Sequence, residues 1–204
     1  MAMTLQYALD LDHRLWLPVP LAFPWNEYAS AEEWATAIAE GMLAEVDPSI
    51  QAARPELDAA QRRELLRATA LATAVAEPPL DAVSERFWLL PREGREAVVH
   101  LYVSDYEGGT THDDLAAIAV AGVGGVLHGI EMTPGTGFDV AARALVLLET
   151  TTPPVVVTRL IGIAEQAVAV LELIHPDPSA VAEVLPAMEP LFASIRMRRT
   201  PEPR

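Results

Sequence analysis

The hydrophobic period of this chain changes at Glu85, and that change limits the folds it can adopt. Before Glu85, apolar residues recur at helical intervals in two segments, and each segment follows a helix-capping pattern. After Glu85, runs rich in valine, isoleucine and leucine alternate with turn residues, as in antiparallel strands. The chain therefore predicts an α+β fold in which helices flank an antiparallel sheet.

Two helices are predicted near the N-terminus. Ser30 and Glu33 form a capping box that starts a helix over 31–45. Asp58 and Gln61 start a second helix in the same way. The period of the second helix predicts four buried residues, namely Leu65, Ala68, Ala72 and Val75.

The strands are predicted as two hairpins with shorter pieces between and before them. Residues 86–90 and 97–103 form the first hairpin around a turn at 91–94, and residues 155–163 and 167–174 form the second. Residues 139–149 suit either a helix or a strand, and their neighbours favour a strand. Residues 129–133 are a short strand, and 15–23, which contain two prolines, are at best an edge strand.

One further helix is predicted at the C-terminus. Asp177 is its N-cap and Pro178 its first residue. Pro186 and Pro190 lie inside its apolar pattern, and each costs about 3 kcal/mol in a helix interior, so a kink or a break into two helices is expected. The tail over 196–201 is expected to fray. No linker divides the chain, so residues 1–204 are predicted to form a single domain.

The composition excludes several kinds of chemistry. The 14 basic residues are all arginine and cysteine is absent, which removes lysine Schiff bases, P-loops, thiol nucleophiles, disulfides and iron–sulfur clusters. The formal net charge of −15 repels phosphate backbones and anionic membranes. The longest uncharged apolar run is shorter than the roughly 20 residues of a membrane span. We therefore expect a soluble cytoplasmic protein with no cofactor, no resident metal, no nucleic-acid partner and no membrane partner.

Side chains able to do chemistry crowd together in one place. Asp105 and Glu107 lead into a short segment that contains His112, Asp113 and Asp114. Thr111 followed three residues later by an acid is typical of a helix cap, for a helix over 113–121. The alternative interpretation takes these five residues as a binding site, either for a divalent metal or as an acid/base set. The sequence assigns no catalytic residue.

Most of the aromatic residues lie near the N-terminus. Their first interpretation is that they anchor the edge strand and the first helix to the core. The alternative is a surface that a partner protein covers, because exposed aromatic side chains mark interfaces. The candidates for such a partner surface are Trp16, Phe23, Trp25 and Tyr28.

The last third of the chain resembles a known family. A long hairpin that ends in residues 167–173, a short turn and a helix that ends in residues 192–195 follow the order found in the PsbP-like α/β/α sandwich family. The resemblance implies an antiparallel sheet flanked by helices, and accessory or binding roles that are mostly non-enzymatic. No functional residue is carried over, because the resemblance rests on pattern over a short stretch.

Three functions are compatible with these features. The leading hypothesis is a non-catalytic binding or accessory protein that acts through a protein–protein surface. The second is a small hydrolase-type enzyme whose pocket holds Asp105, Glu107 and His112. The third is an acidic immunity-type protein that neutralises a basic toxin, to which the net charge of −15 is suited.

Overall fold

A computed structural model describes the fold over residues 3–44, 57–92, 95–134, 136–148 and 154–201. Its helices are α1 (Ala31–Ala44), α2 (Ala59–Val75), α3 (His112–Val120) and α4 (Pro178–Ser194). Its strands are β1 (Met3–Ala8), β2 (Trp16–Pro18), β3 (Glu85–Arg92), β4 (Arg95–Asp105), β5 (Val126–Met132), β6 (Val140–Leu148), β7 (Val155–Ala164), β8 (Ala167–His175) and β9 (Arg196–Pro201).

Within these ranges, seven strands form one antiparallel sheet in the order β2-β3-β4-β8-β7-β6-β5. Both predicted hairpins are confirmed as β3–β4 and β7–β8, and the ambiguous segment is the strand β6. The predicted edge strand is β2, which pairs only with β3 in the described sheet. Predicted residues 45, 93, 94 and 149 lie outside the described ranges.

Helix α4 covers one face of the sheet. Its residues Val184, Met188 and Phe192 are buried in one cluster with Leu101 and Leu171 from the central strands. The spacing of four residues places these α4 side chains on one side of the helix. The predicted apolar side of the C-terminal helix is therefore confirmed.

The other three helices cover the opposite face. Leu115 of α3 packs with Ile161 of β7, while Trp34 of α1 and Ala70 of α2 pack with Trp88 of β3. The sheet is thus buried on both faces, which explains why β7 and β8 are almost continuously apolar rather than alternating. The predicted antiparallel sheet flanked by helices is confirmed.

The predicted buried side of α2 is wrong by one residue. The buried residues are Leu66, Ala70, Thr73 and Ala74, whereas Leu65 and Val75 are 41% and 62% exposed, and Ala68 and Ala72 are also exposed. One residue corresponds to a rotation of about 100° around a helix. The small side chains of Ala70 and Ala74 leave room for the indole of Trp34, so α2 turns that side toward α1.

The predicted break of the C-terminal helix into two helices is also wrong. Asp177 caps α4 as predicted, since its side chain accepts from the N–H of Ser179, and the helix then runs without interruption past Pro186 and Pro190. Each proline removes a single backbone donor, and both rings lie on the exposed side of the helix. Burial of the opposite side against the sheet keeps the helix continuous.

The C-terminal tail does not fray within the described residues. Residues Arg196–Pro201 form β9, which pairs antiparallel with β1 from the other end of the chain. The guanidinium of Arg199 adds hydrogen bonds to the carbonyl oxygens of Glu165 and Gln166, in the turn between β7 and β8. These contacts hold the tail in place. Its pairing with β1 could not be predicted from the local sequence pattern, because β1 lies at the other end of the chain.

Candidate functional site

The predicted polar cluster after the first hairpin starts helix α3. The Thr111 hydroxyl oxygen accepts from the backbone N–H of Asp114, and the Asp114 carboxylate accepts from the backbone N–H of Thr111 at 2.8 Å. The Thr111 hydroxyl also donates to that carboxylate at 2.6 Å. Hydrogen bonds from the side chain and then the backbone of Thr111 lower the pKa of Asp114. The capping interpretation is confirmed.

The other candidate binding residues of this cluster do not converge. The His112 Nδ1 and Asp113 Oδ1 atoms are 3.9 Å apart, and their side chains are 69% and 103% exposed. Asp105 accepts a hydrogen bond from Arg199 at 2.6 Å, and Glu107 lines a separate cleft of about 470 Å³. Among the described residues, no group of three or more histidine, aspartate or glutamate side chains could hold a metal ion.

The aromatic candidates for a partner surface divide into two kinds. Trp16 is only 1% exposed and lies in the core under α4, so its assignment to a surface is wrong. Phe23, Trp25 and Tyr28 are partly buried against the cluster around α1, and the rings of Trp25 and Tyr28 stack with their centroids 6.3 Å apart. These three side chains keep some exposed area, and their role as a partner surface stays a prediction.

A row of four polar side chains crosses the middle of the sheet. Strand pairing places Arg86 opposite His100, His100 opposite Glu172, and Glu172 opposite Arg159. Directly paired residues share a face, so the four side chains lie side by side on the face covered by α1, α2 and α3. Their exposed fractions are 3%, 8%, 0% and 2% in that order along the sheet. We call these four residues the buried polar row.

One half of the buried polar row is an ion pair. The Nε and Nη2 atoms of Arg159 donate to Glu172 Oε2 at 2.7 and 2.5 Å. The remaining nitrogen, Nη1, donates to three carbonyl oxygens at the C-terminal end of α3, those of Ile118, Ala119 and Ala121. A cation suits this end of a helix, where carbonyl groups lack intrahelical partners. Arg159 therefore has partners on every side.

The other half has a cation that forms no ion pair with any residue of the described ranges. The Nη1 and Nη2 atoms of Arg86 donate to the carbonyl oxygens of Ala76 and Ala74, at the C-terminal end of α2, and Nη2 also donates to that of Pro20. Its Nε atom is buried and has no hydrogen-bond partner. The position that a glutamate occupies beside Arg159 is taken here by His100, whose buried Nδ1 also lacks a partner.

A cleft of about 530 Å³ lies over this second half. Arg86 and His100 line it together with Thr69 and Thr73 of α2. Glu77, two residues after the end of α2, also lines it. The remaining lining is mostly apolar and comes from α2, the segment after it, β4 and β8, namely Ala72, Ala76, Pro79, Ala97, Val98, Ile174 and the ring of His175. We call this space the Arg86 cleft.

The electrostatic state of the cleft follows from burial. Burial, followed by the positive charge of Arg86, lowers the pKa of His100 to about 4, so the imidazole is neutral at pH 7. Burial lowers the pKa of Arg86 as well, yet a guanidinium keeps its charge at all ordinary pH values. The polar groups that line the Arg86 cleft are therefore one buried permanent positive charge, one neutral imidazole, two threonine hydroxyls, the carboxylate of the exposed Glu77 and the ring of His175.

The sequence contained a signal for this row that local clustering did not reveal. Arg159 and Glu172 are the charged residues inside the two most apolar strands of the chain. A charged residue in a strand that is buried on both faces needs a partner. The identity of that partner depends on strand register. The register brings together residues as far apart in the chain as positions 86 and 172, so the local spacing of residues does not show it.

The solved structures similar to this chain include the solution structure of cyanobacterial PsbP (CyanoP) from Synechocystis sp. PCC 6803. The similarity covers 61% of this chain and 78% of that chain, with a TM-score of 0.37 and 11% sequence identity. The weak resemblance to PsbP that the sequence suggested is therefore also found between the structures. The low TM-score and sequence identity support no argument about function. No family model and no curated protein sequence matches the chain. Within the described residues, no helix has both the length and the apolar character needed to cross a bilayer.

Proposed function

We propose that this protein is a non-catalytic binding protein that holds an anionic group of its ligand in the Arg86 cleft. The observation that carries this proposal is the guanidinium of Arg86, which is 3% exposed and forms no ion pair with any described carboxylate. A buried cation without a counter-ion is unfavourable by several kcal/mol. An anion that enters the cleft would supply the missing charge.

Unsatisfied nitrogen atoms are concentrated in the same part of the sheet. Four buried side-chain polar atoms lack a hydrogen-bond partner in the described structure, and three of them belong to Arg86, Trp88 and His100. These residues lie on the same face of the adjacent strands β3 and β4. An N–H buried without an acceptor costs about 1–3 kcal/mol, and an oxyanion brings acceptors. Burial and charge thus favour the same ligand chemistry.

The net charge of the chain shapes how such a ligand binds. At −15 the protein as a whole does not attract anions over long range. Binding in the Arg86 cleft therefore depends on direct contacts with Arg86 and His100. The protein–protein surface that the aromatic residues suggest is a separate proposal, now limited to Phe23, Trp25 and Tyr28.

The proposal is tested by nuclear magnetic resonance with isotope-labelled protein. Acetate, inorganic phosphate and octanoate are titrated separately while the Arg86 Nε–H and His100 ring signals are followed. We expect saturable shifts of both signals with at least one of these anions, and a rise in the thermal midpoint because the ligand binds only the folded state. The proposal is wrong if none of the three anions moves either signal.

A pair of variants separates the cleft from general charge effects. Arg86→Met removes the buried guanidinium. Arg63→Met removes an exposed guanidinium from α2, one of the helices on the same face of the sheet. Anion binding should be lost in Arg86→Met and retained in Arg63→Met. Equal binding by the two variants would contradict the proposed site.

A further inference from the structure

We infer that the ligand of the Arg86 cleft is an organic monocarboxylate whose hydrocarbon body lies along the apolar wall formed by α2 and β8. This inference rests on the proposed function and specifies the chemistry of the same site. Three features of the cleft support it: its single positive charge, the geometry of the corresponding ion pair at Arg159, and the composition of its walls.

The charge of the site fits one negative charge. Arg86 is the buried cation of the cleft, and His100 is neutral at pH 7 because burial lowers its pKa to about 4. A phosphate group carries about −1.5 to −2 at pH 7, so it would bring surplus buried charge next to the carboxylate of Glu77, which also lines the cleft. A carboxylate brings a single charge that the guanidinium neutralises.

The paired half of the row shows how this sheet binds a carboxylate. Glu172 Oε2 accepts from both Nε and Nη2 of Arg159, and Glu172 stands directly opposite Arg159 in the register. In the other half His100 stands opposite Arg86, and the Arg86 Nε and His100 Nδ1 atoms are both without partners. A ligand carboxylate beside Arg86 and the Nδ1–H tautomer of His100 would give this half of the row the counter-ion that Glu172 gives Arg159.

The walls of the cleft fit a hydrocarbon chain. Ala72, Pro79 and Ile174 supply methyl and methylene surface around the polar end. A volume of about 530 Å³ lies within the usual range of small-molecule sites, about 300–1,000 Å³, which are mostly apolar with a few polar groups that fix orientation. Each buried methylene should tighten binding by up to about fourfold.

The inference is tested with a series of ligands measured by isothermal titration calorimetry at pH 7. The series contains acetate, butanoate, hexanoate and octanoate, with octan-1-ol and inorganic phosphate as the ligands that lack either the charge or the hydrocarbon. We expect affinity to increase with each pair of methylenes, and octanoate to bind at least tenfold more tightly than octan-1-ol, phosphate or acetate.

Two variants keep the test valid even if one of them folds poorly. Arg86→Met should lose octanoate binding by tenfold or more relative to Arg63→Met. His100→Glu places a carboxylate of the chain itself opposite Arg86, so this variant should fold and should exclude octanoate. Circular dichroism establishes that each variant is folded before binding is measured. Undiminished octanoate binding by folded His100→Glu would overturn the inference.

The outcomes separate this inference from the function on which it rests. Affinity that does not depend on chain length, or phosphate that binds as tightly as octanoate, would overturn the monocarboxylate while leaving anion binding intact. Octan-1-ol that binds as tightly as octanoate would show that the cleft recognises the hydrocarbon and not the charge. If no anion moves either the Arg86 Nε–H signal or the His100 ring signals, the proposed function fails together with the inference.

Discussion

Arg86 and Arg159 lie on the same face of the sheet, and each donates to carbonyl oxygens at the C-terminal end of a helix. Among the described residues, only Arg159 has a counter-ion. Arg159 serves the end of α3 and is paired with Glu172. Arg86 serves the end of α2 and has His100 in the corresponding place. The same structural device is thus complete at one end of the buried polar row and incomplete at the other.

The difference indicates which end is structural and which end is open to a ligand. A buried ion pair with satisfied hydrogen bonds leaves nothing for an external group to bind. A buried guanidinium whose Nε has no partner, beside an imidazole whose Nδ1 has none, leaves a charge and two nitrogen atoms unmatched. Helix capping explains the Nη contacts of Arg86, and it does not explain the choice of a neutral histidine opposite it.

The largest expected effect comes from breaking the complete half. Glu172→Gln leaves Arg159 buried without an anion, and removal of one partner from a buried pair typically costs about 3–5 kcal/mol. Urea unfolding should show this loss in the free energy of unfolding. Replacing both residues, as in Arg159→Met with Glu172→Leu, should cost less than the single change, because no uncompensated charge remains.

Glu77→Gln is the matched control, and it also tests the comparison. Glu77 is an exposed glutamate that lines the Arg86 cleft, and a surface substitution of this kind should change stability by no more than about 0.5 kcal/mol. A loss of several kcal/mol in Glu77→Gln would show that Arg86 does have a counter-ion in solution. The asymmetry between the two halves would then disappear.

The second effect is a dependence of stability on pH that comes from the incomplete half. The pKa of His100 falls from its ordinary 6.5 to about 4 in the folded protein, so between these pH values the unfolded state binds more protons than the folded state. Stability is therefore full above pH 6.5 and decreases as the pH falls toward 4. This difference in the pKa of His100 corresponds to roughly 3 kcal/mol in the free energy of unfolding.

This contribution is measured by comparing wild type with His100→Gln in urea at pH 7.5, 6, 5 and 4. Other groups titrate in both proteins, so the difference between the two curves isolates His100. The wild type should lose more stability than the variant between pH 6.5 and 4. Parallel curves would mean that the imidazole charges as easily in the folded protein as in the unfolded chain.

The third effect comes from completing the incomplete half. His100→Glu gives Arg86 the carboxylate that Glu172 gives Arg159, in the same register position. Hydrogen bonds to charged groups contribute about 1.5–3 kcal/mol, so the free energy of unfolding should be higher by about that amount than in His100→Gln, which offers no charge. A variant no more stable than His100→Gln would show that Arg86 does not need an anion.

The fold was largely predictable because its elements depend on local signals. The capping residues Asp58 and Thr111 mark the starts of α2 and α3, and the valine-rich runs mark β7 and β8. The errors concern relations between distant segments. The pairing of β9 with β1 joins the two ends of the chain, and the one-residue rotation of α2 depends on the shape of Trp34 in another helix.

The candidate site was not predictable in the same way. Sequence proximity singled out the segment around Thr111 and Asp114, where the polar residues serve a helix terminus. The buried polar row contains one polar residue from each of four strands, and its members become neighbours only through register. The charged residues Arg159 and Glu172 inside apolar strands were the available signal, whereas Arg86 and His100 lie in a hairpin of mixed polarity.

The smallest expected effect concerns the third partner of the complete half. The hydroxyl of Tyr102 donates to Glu172 Oε1 at 3.1 Å, while Arg159 engages Oε2. Tyr102→Phe removes that donor and keeps the ring, so the free energy of unfolding should fall by about 1 kcal/mol.

Tyr106→Phe is the matched control. The hydroxyl of Tyr106 donates to the exposed carbonyl oxygen of Gly109, which water can satisfy after the change. A loss confined to Tyr102→Phe would mean that even the paired carboxylate requires a donor on each oxygen, and this strengthens the contrast with Arg86, whose Nε has no acceptor. Equal losses in the two variants would remove that contrast.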